Sequence, residues 1–295
     1  LPLQERTEPA GVEMKPERNS CRLAISLVRY GDLSPIRGIV KSINSSDARA
    51  AVRILVADNG PGVSAELAEM HSSGLIDGLL TATHNPGYFP SSFASLREEM
   101  GAGTDWAIVA NPDLEFDLRH AISTLALRDA DIPQVVAPQV FEAGSPEKNP
   151  HILARPSLAW FTVRATVHSN YLTHWLFMWL HRRKASRDSS PARVVHGADM
   201  YAPHGSIVAI SRAAFRLLEP DADQAVLYSE EIWLGEQCYR HQIPVHLADE
   251  WGVEHQSHAS TGALSNRARY RLWRKASLRS LGLRLRSSRE AGTRE

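Results

Sequence analysis

The stretch 106–117 constrains the fold of this chain more than any other, because a strand in it ends abruptly in acidic residues. The four apolar residues at 107–110 are typical of a strand that is buried on both faces of a parallel sheet. An Asn-Pro dipeptide at 111–112 ends the strand, since proline cannot continue the hydrogen-bonding ladder. Asp113 and Glu115 therefore lie at the carboxyl end of a strand, which is the edge where open α/β sheets bind ligands.

Asp113 and Glu115 predict a divalent cation site at this edge. Two carboxylates one residue apart suit a hard cation, such as Mg²⁺ or Mn²⁺, that keeps phosphate oxygens as its remaining ligands. The alternative is a strand-to-loop corner whose acidic side chains are simply solvated. This stretch alone leaves both interpretations open, so other parts of the chain must decide between them.

Three further apolar runs, each followed by turn residues, repeat the pattern of a strand ending at a turn. These runs span 22–28, 52–57 and 78–82. Strands that alternate with helical patterns through short connections are typical of a parallel, doubly wound α/β sheet, and we predict one large domain of this class. Asp58, the turn 85–88 and Asp113 are expected to face one crevice, which fits a nucleotide-linked ligand.

Composition and absent motifs argue against several classes of function. The 33 Lys and Arg residues balance the 33 Asp and Glu residues, so the overall charge favours neither a nucleic acid nor an acidic partner. Neither a Gly-x-Gly-x-x-Gly motif nor a Walker loop follows the first strand, which argues against a dehydrogenase and an ATPase. Cys21 and Cys238 are isolated in the sequence, so we expect no disulfide framework and a reducing, cytoplasmic compartment.

Three segments depart from the alternating pattern. We predict a disordered leader over 1–20, because these residues are polar and contain proline without a period. The stretch 141–194 is expected to be a long functional insertion beside the crevice. Its aromatic run, 175–180, fits either a core helix or a surface that faces an acceptor or a membrane. The basic tail 263–295 fits either an interfacial helix on anionic lipid or a solvated, partly helical segment.

Two acidic residues and two histidines complete the candidate site. Glu230 and Glu231 stand near the start of a predicted helix, where they suit either the helix dipole or the role of a general base. His255 lies where a predicted strand leads into a loop. His204, next to Gly205, fits either an acceptor contact or a hydrogen-bonded structural role.

The motifs stand in a recognisable order along the chain. They are Val56-Ala-Asp-Asn-Gly60, Asn85-Pro-Gly-Tyr88, Asn111-Pro-Asp113, Tyr201-Ala-Pro-His-Gly-Ser206, Leu227-Tyr-Ser-Glu-Glu231 and His258-Ala-Ser-Thr-Gly262. This order resembles the family-2 glycosyltransferases of the GT-A fold, in particular bacterial members that build surface polysaccharides. The resemblance implies a GT-A domain over 21–262, with a nucleotide-sugar half at 21–140 and an acceptor and catalytic half at 141–262.

The resemblance also implies an activity and its residues. It implies inverting transfer of a sugar from a nucleotide-diphosphate donor to a saccharide or lipid-linked saccharide, with Mg or Mn as the cofactor. The implied donor contacts are Tyr30, Asp58, Asn85, Gly87, Asn111 and Asp113. The implied acceptor contacts are His204, Gly205 and Ser206, and the cation ligands are Asp113, Glu115 and His255. Glu231 stands at the position of the catalytic base, with Glu230 as the alternative. An enzyme of this type is expected at the inner face of the cell membrane.

Three residues depart from the pattern of that family. Asn111 replaces the first acid of an Asp-x-Asp-like motif, Glu231 replaces the usual aspartate, and Ser92 replaces a second asparagine. These departures leave open a second hypothesis, in which the chain is a catalytically silent GT-A-like scaffold or binding subunit at the membrane surface. A nucleotidyltransferase with a related sheet is less well supported, because no glycine-rich, basic phosphate loop follows the first strand.

Overall fold

A computed structural model describes residues 21–62, 64–142, 148–185, 199–218, 229–256 and 265–292. Its strands are β1 (Leu23–Arg29), β2 (Val52–Asp58), β3 (Gly78–Thr81), β4 (Trp106–Ala110), β5 (Leu114–Glu115), β6 (Val135–Glu142), β7 (Ile207–Ser211) and β8 (Val245–His255). Its helices are α1 (Ser34–Asn44), α2 (Ala65–Ser72), α3 (Tyr88–Gly101), α4 (Leu118–Ala126), α5 (Leu158–Val167), α6 (Tyr171–Ala185), α7 (Arg212–Leu217), α8 (Glu230–His241) and α9 (Asn266–Gly292). The predicted leader, 1–20, lies outside the described residues.

The strands form one mixed sheet in the order β3-β2-β1-β4-β7-β6-β8-β5. The strands β1 to β4 pair in parallel, whereas β7 runs antiparallel to both β4 and β6. Because β7 is antiparallel, its amino end lies beside the carboxyl end of β4, with Ala110 opposite Ile207. The segment before β7 is therefore brought to the same edge of the sheet as the segments after β1, β2 and β4.

Apolar layers cover both faces of the sheet. Along β1, Ile25 and Leu27 join the core beneath α1, α2 and α4, while Ala24 and Val28 join the core beneath α3 and α8. This alternation follows from the two-residue period of a strand. All five residues of β4 are buried, which confirms the interpretation of the 107–110 run. The predicted α/β class with a central sheet flanked by helices is likewise confirmed.

The stretch 141–194, which we predicted to be a long insertion, includes the helices α5 and α6 among its described residues. Ser157 caps α5, with its hydroxyl accepting from the backbone N–H of Trp160 at 3.2 Å. The aromatic run 175–180 forms part of α6, yet most of its side chains are exposed. The core-helix interpretation of this run was therefore wrong, because the helix packs only one side against the protein.

The C-terminal helix α9 belongs to the folded body. It packs against α5 and α8, and Ala276, Ser277, Ser280 and Leu283 are buried in these contacts. The ring of Trp273 lies 5.4 Å from that of His168 at the end of α5. The described helices include none that is long and apolar enough to cross a bilayer.

Candidate active site

Asp58, at the carboxyl end of β2, is buried and holds the loop that follows it. Arg29 donates from Nη1 to Asp58 Oδ1 at 2.8 Å, and the backbone N–H groups of Gly60 and Ser64 donate to the same carboxylate. A Cβ at residue 60 would lie 2.5 Å from Arg29 Nη1, so the glycine lets the guanidinium lie against the loop. The contact of Asp58 with a nucleotide remains a prediction. In the structure, the hydrogen bonds of Asp58 fix the conformation of this loop.

Asn59 connects the end of β2 to the predicted donor loop 85–88. Its Nδ2 donates to Ser91 Oγ at 2.7 Å and to Asn85 Oδ1 at 3.3 Å. Asn85 Oδ1 also accepts from the backbone N–H of Gly87 at 2.9 Å. Gly87 has a φ of +109°, which side chains other than hydrogen rarely permit, and α3 begins at the next residue. Sequence reasoning singled out Asn85 and Gly87 but missed the roles of Asn59 and Ser91.

Tyr88 connects the predicted donor loop 85–88 to the loop that precedes β7. Its hydroxyl is buried and donates to the carbonyl oxygen of Ser206 at 3.4 Å. Burial raises the pKa of Tyr88, and the nearby Tyr30, Glu230 and Asp113 raise it further. The phenol is therefore a neutral hydrogen-bond donor. Tyr30 packs against the same apolar core as Tyr88. The predicted donor residue after β1 and the two acids of α8 therefore all lie near Tyr88.

Asp113 and His255 meet at the end of β4. Asp113 Oδ1 lies 3.3 Å from His255 Nε2, but it is buried without a well-aligned hydrogen bond. On the other side of the ring, His255 Nδ1 lies 3.0 Å from Glu142 Oε1, and Lys148 Nζ pairs with Glu142 Oε2 at 2.9 Å. Burial alone would lower the pKa of His255, but Asp113 and Glu142 outweigh it and raise that pKa. Asn111 Nδ2 is 3.5 Å from the same Nε2.

These residues fit a divalent cation. A buried carboxylate oxygen without a hydrogen bond is available as a ligand, and histidines that bind metals commonly donate their second ring nitrogen to a carboxylate, as His255 does to Glu142. The described residues contain no group of three His, Cys, Asp or Glu that is arranged to hold a metal. A cation held by Asp113 and His255 would therefore take its remaining ligands from outside this pair.

Glu115, the third predicted cation ligand, is separated from this pair. It is exposed in β5, and its Oε1 accepts a hydrogen bond from Gln256 Nε2. With Gln256, it lines an open groove of about 820 Å³ between the start of α1 and the ends of β5 and β8. Asp113 lies in the turn before β5 and lines the same groove, but its Oδ1 lies beside His255, whereas the Glu115 carboxylate is bonded to Gln256.

Glu231 lies against the loop that precedes β7. A Cβ at residue 205 would lie 2.9 Å from Glu231 Oε1, so only glycine permits this close approach. In the same loop, His204 Nδ1 lies 2.8 Å from Ser206 Oγ, and the His204 backbone N–H donates to Asn149 Oδ1 at 2.6 Å. Burial lowers the pKa of His204 to about 4, so this ring is neutral. The structure thus brings together the predicted base and the predicted acceptor loop 204–206.

The two acids that begin α8 lie in different surroundings. Glu230 is buried, and its Oε2 accepts from the backbone N–H of Ser229 at 3.0 Å. Glu231 is half-buried, and its charge acts on Arg164 of α5. Burial lowers the pKa of Arg164, and the charge of Glu231 partly offsets this decrease. Arg164, which lies over the rings of Trp160 and Trp273, is a charged neighbour of Glu231 that the sequence did not reveal, because no motif links α5 to α8.

Comparison with solved structures identifies the fold. The chain of GalNAc-T7, in a crystal structure with UDP, GalNAc and Mn²⁺, superposes with a TM-score of 0.54 at 14% identity, covering 83% of this chain and 45% of that one. This chain therefore spans less than half the length of GalNAc-T7. Residues 1–349 of TarS from S. aureus superpose at 0.49 with 9% identity, covering 80% and 60%. A mannosyltransferase from Pyrobaculum calidifontis superposes at 0.48 with 10% identity, covering 94% and 76%.

The class that these findings define is the GT-A fold of glycosyltransferases, as the motifs had predicted. No protein-family model matches the sequence, and no curated protein matches it. At such low identity the comparison establishes the architecture alone. The activity must therefore be argued from the site.

Proposed function

We propose that the protein is a metal-dependent, inverting glycosyltransferase that moves a sugar from a nucleotide-diphosphate donor to a saccharide or lipid-linked saccharide. The observation that carries this proposal is the buried oxygen of Asp113, which makes no hydrogen bond and lies 3.3 Å from His255 Nε2 at the carboxyl edge of a GT-A sheet. In support, the GalNAc-T7 structure is described with UDP, GalNAc and Mn²⁺. A role in cell-surface polysaccharide synthesis, on the cytoplasmic side of the membrane, belongs to the same proposal.

A Mg or Mn ion would be held by Asp113 and His255. When bound, such an ion neutralises charge that develops on a leaving diphosphate. Glu142 fixes the orientation of the His255 ring through Nδ1 and so keeps Nε2 directed towards Asp113. Glu115 bonds to Gln256 and forms no three-residue metal group with this pair among the described residues, so we leave it out of the proposed cation site.

The donor side of the site is built by the segments after β1, β2 and β3. Tyr30 and the loop held by Asp58 would flank the base and ribose. Asn85 and Gly87 would approach the donor through the loop that Asn59 ties to β2. Asn111 and Asp113 complete the donor contacts near the diphosphate.

Glu231 is the proposed base, and residues 204–206 form the proposed acceptor loop. Glu231 takes the proton of an acceptor hydroxyl. At the same time, the oxygen of that hydroxyl bonds to the anomeric carbon, and the bond from this carbon to the diphosphate breaks on the opposite face. This direct displacement inverts the anomeric centre. We prefer Glu231 to Glu230 because Glu231 is partly exposed beside Gly205, whereas Glu230 is buried and bonded to backbone.

The proposal is tested by a thermal-shift screen with UDP, dTDP, GDP and CDP, each with and without Mn²⁺. We expect one nucleotide to raise the melting temperature of the wild type only when the metal is present. Asp113→Asn should abolish that shift, while Asp47→Asn, a matched change of an exposed aspartate after α1, should leave it unchanged.

Each other outcome of the screen contradicts part of the proposal. Stabilisation that needs no metal, or that survives in Asp113→Asn, would refute the cation site at Asp113. If no nucleotide stabilises the protein, the donor site is refuted and the scaffold hypothesis takes its place. Glu231→Gln should keep the nucleotide shift and lose transfer, so transfer by this variant at the wild-type rate would refute the assigned base.

A further inference from the structure

An apolar face of α6 lies open to solvent. Its members are Tyr171, Leu172, Trp175, Leu176, Trp179 and Leu180, which are all exposed. Their spacing of one, four, five, eight and nine residues places them on one half of the helix. Leu172 keeps 68% of its surface exposed, and Trp175 and Trp179 stack on each other with ring centroids 6.5 Å apart. Exposed apolar patches of this kind mark interaction sites.

The opposite side of α6 is anchored in the protein. His174 is buried, and its Nδ1 lies 2.8 Å from Nδ1 of His168 at the end of α5. The ring of Tyr270 in α9 lies 5.3 Å from that of His174 and 5.2 Å from that of Tyr171. We call the helices α5, α6 and α9 the helical lobe. These ring contacts join α6 to its two neighbours and leave the apolar face directed outward.

Charge is segregated onto the helical lobe. The chain is neutral overall, yet residues 148–185 contain six Lys and Arg and no Asp or Glu. Residues 265–289 contain nine Lys and Arg, again without an acid. Two of these cations, Lys148 and Arg155, precede α5 and are paired with Glu142 and Glu236. In the sequence, Arg182, Arg183 and Lys184 follow directly after the apolar face of α6.

The basic side chains of α9 stand beside the apolar face. Arg267 and Arg274 are exposed and lie about one turn before and one turn after Tyr270, so they share its side of the helix. Tyr270 itself contacts Tyr171, the first residue of the apolar face. Cations therefore border a surface that is rich in tryptophan and leucine.

We propose that the apolar face of α6, bordered by the cations of α9, binds peripherally to an anionic lipid bilayer. Tryptophan and tyrosine side chains favour the interface between headgroups and acyl chains, and leucines add apolar area that becomes buried there. Lys and Arg beside such a face are attracted to anionic headgroups. A second protein would suit the apolar residues alone, but it would not account for the excess of Lys and Arg over Asp and Glu in the stretches 148–185 and 265–289. The contact rests on no residue of the proposed donor site.

The test is flotation of the full chain with vesicles of phosphatidylcholine, with and without phosphatidylglycerol. We expect the wild type to float with the anionic vesicles, to float less with the neutral ones, and to be released by added salt. Tryptophan emission should shift to shorter wavelength on binding. The variant Leu172→Gln/Leu176→Gln/Leu180→Gln should lose flotation by about tenfold or more, because three apolar side chains no longer enter the interface.

The matched control is Leu127→Gln, since Leu127 is 87% exposed after α4 and lies outside the lobe. It should float like the wild type. The triple variant should keep its melting temperature and any nucleotide-dependent shift, which separates this proposal from the proposed transfer activity. The bilayer assignment is overturned if the wild type does not float, if the triple variant floats equally well, or if neutral vesicles bind equally. Sedimentation that shows a dimer only in the wild type, without flotation, would assign the face to a second copy instead.

Discussion

Loss of Arg155 is expected to destabilise the protein strongly, because it would leave a buried carboxylate without its charge partner. Glu236 of α8 is 1% exposed, and Arg155 donates to its two oxygens at 3.0 and 2.7 Å. Tyr201 donates to the same carboxylate at 2.8 Å. Breaking a buried pair by removing one partner typically costs about 3–5 kcal/mol. Arg155 also lies 3.6 Å from the centre of the Tyr239 ring, which adds to the loss.

The assay is urea unfolding followed by tryptophan fluorescence. Arg155→Met should lower the free energy of unfolding by about 3–5 kcal/mol. Adding Glu236→Gln should recover much of that loss, because no unpaired charge then remains buried. The control is Arg37→Met, which breaks a pair with Glu66 of similar length, 2.7 Å, but with 52% and 40% of the two side chains exposed. That change should cost under about 1 kcal/mol. Equal costs for the two single variants would refute the reasoning.

Two further predictions concern the titration of His168 and the position of the proposed base, Glu231. Burial, helped by His174 and Arg164, lowers the pKa of His168 from 6.5 to about 4. As the pH falls, His168 is therefore protonated in the unfolded chain before it is protonated in the folded protein. The free energy of unfolding should drop by about 2 kcal/mol between about pH 7 and pH 5. Urea titrations should show this drop in the wild type and a smaller one in His168→Phe. Gly205→Ala should move the Glu231 carboxylate by about 0.5 Å, from 2.9 Å to the ordinary 3.4 Å. We expect roughly tenfold to hundredfold slower transfer with little change in melting temperature, and unchanged transfer would contradict the position assigned to Glu231.

The parts of the fold that could be predicted were those with a local signal. The apolar run of β4 and its abrupt end located the sheet edge, and the motif order predicted the GT-A fold. The direction of β7 could not be predicted, because an apolar run looks the same in a parallel and an antiparallel strand. The helix α5 was not predicted, and the run 175–180 could not show whether α6 is buried or exposed, because its apolar residues do not alternate with polar ones in the usual amphipathic way.

The site was predictable only as far as its motifs reached. Asp113 and His255 were identified, but Glu142, which holds the His255 ring, lies 113 residues away in the sequence and follows no motif. Asn59 was interpreted as a turn residue, although its amide ties the donor loop to β2. Glu115 was assigned to the cation by its spacing from Asp113, but its carboxylate is bonded to Gln256, which the sequence did not reveal.

The most direct test of the central claim is isothermal titration of the nucleoside diphosphate that the thermal screen selects, with and without Mn²⁺. If Asp113 and His255 hold a cation that offsets the charge of the diphosphate, the metal should strengthen nucleotide binding in the wild type at least about tenfold, an effect of about 1.4 kcal/mol. His255→Ala should remove that enhancement while leaving the metal-free affinity unchanged. Equal nucleotide affinity with and without Mn²⁺ in the wild type, or an undiminished enhancement in His255→Ala, would contradict the account.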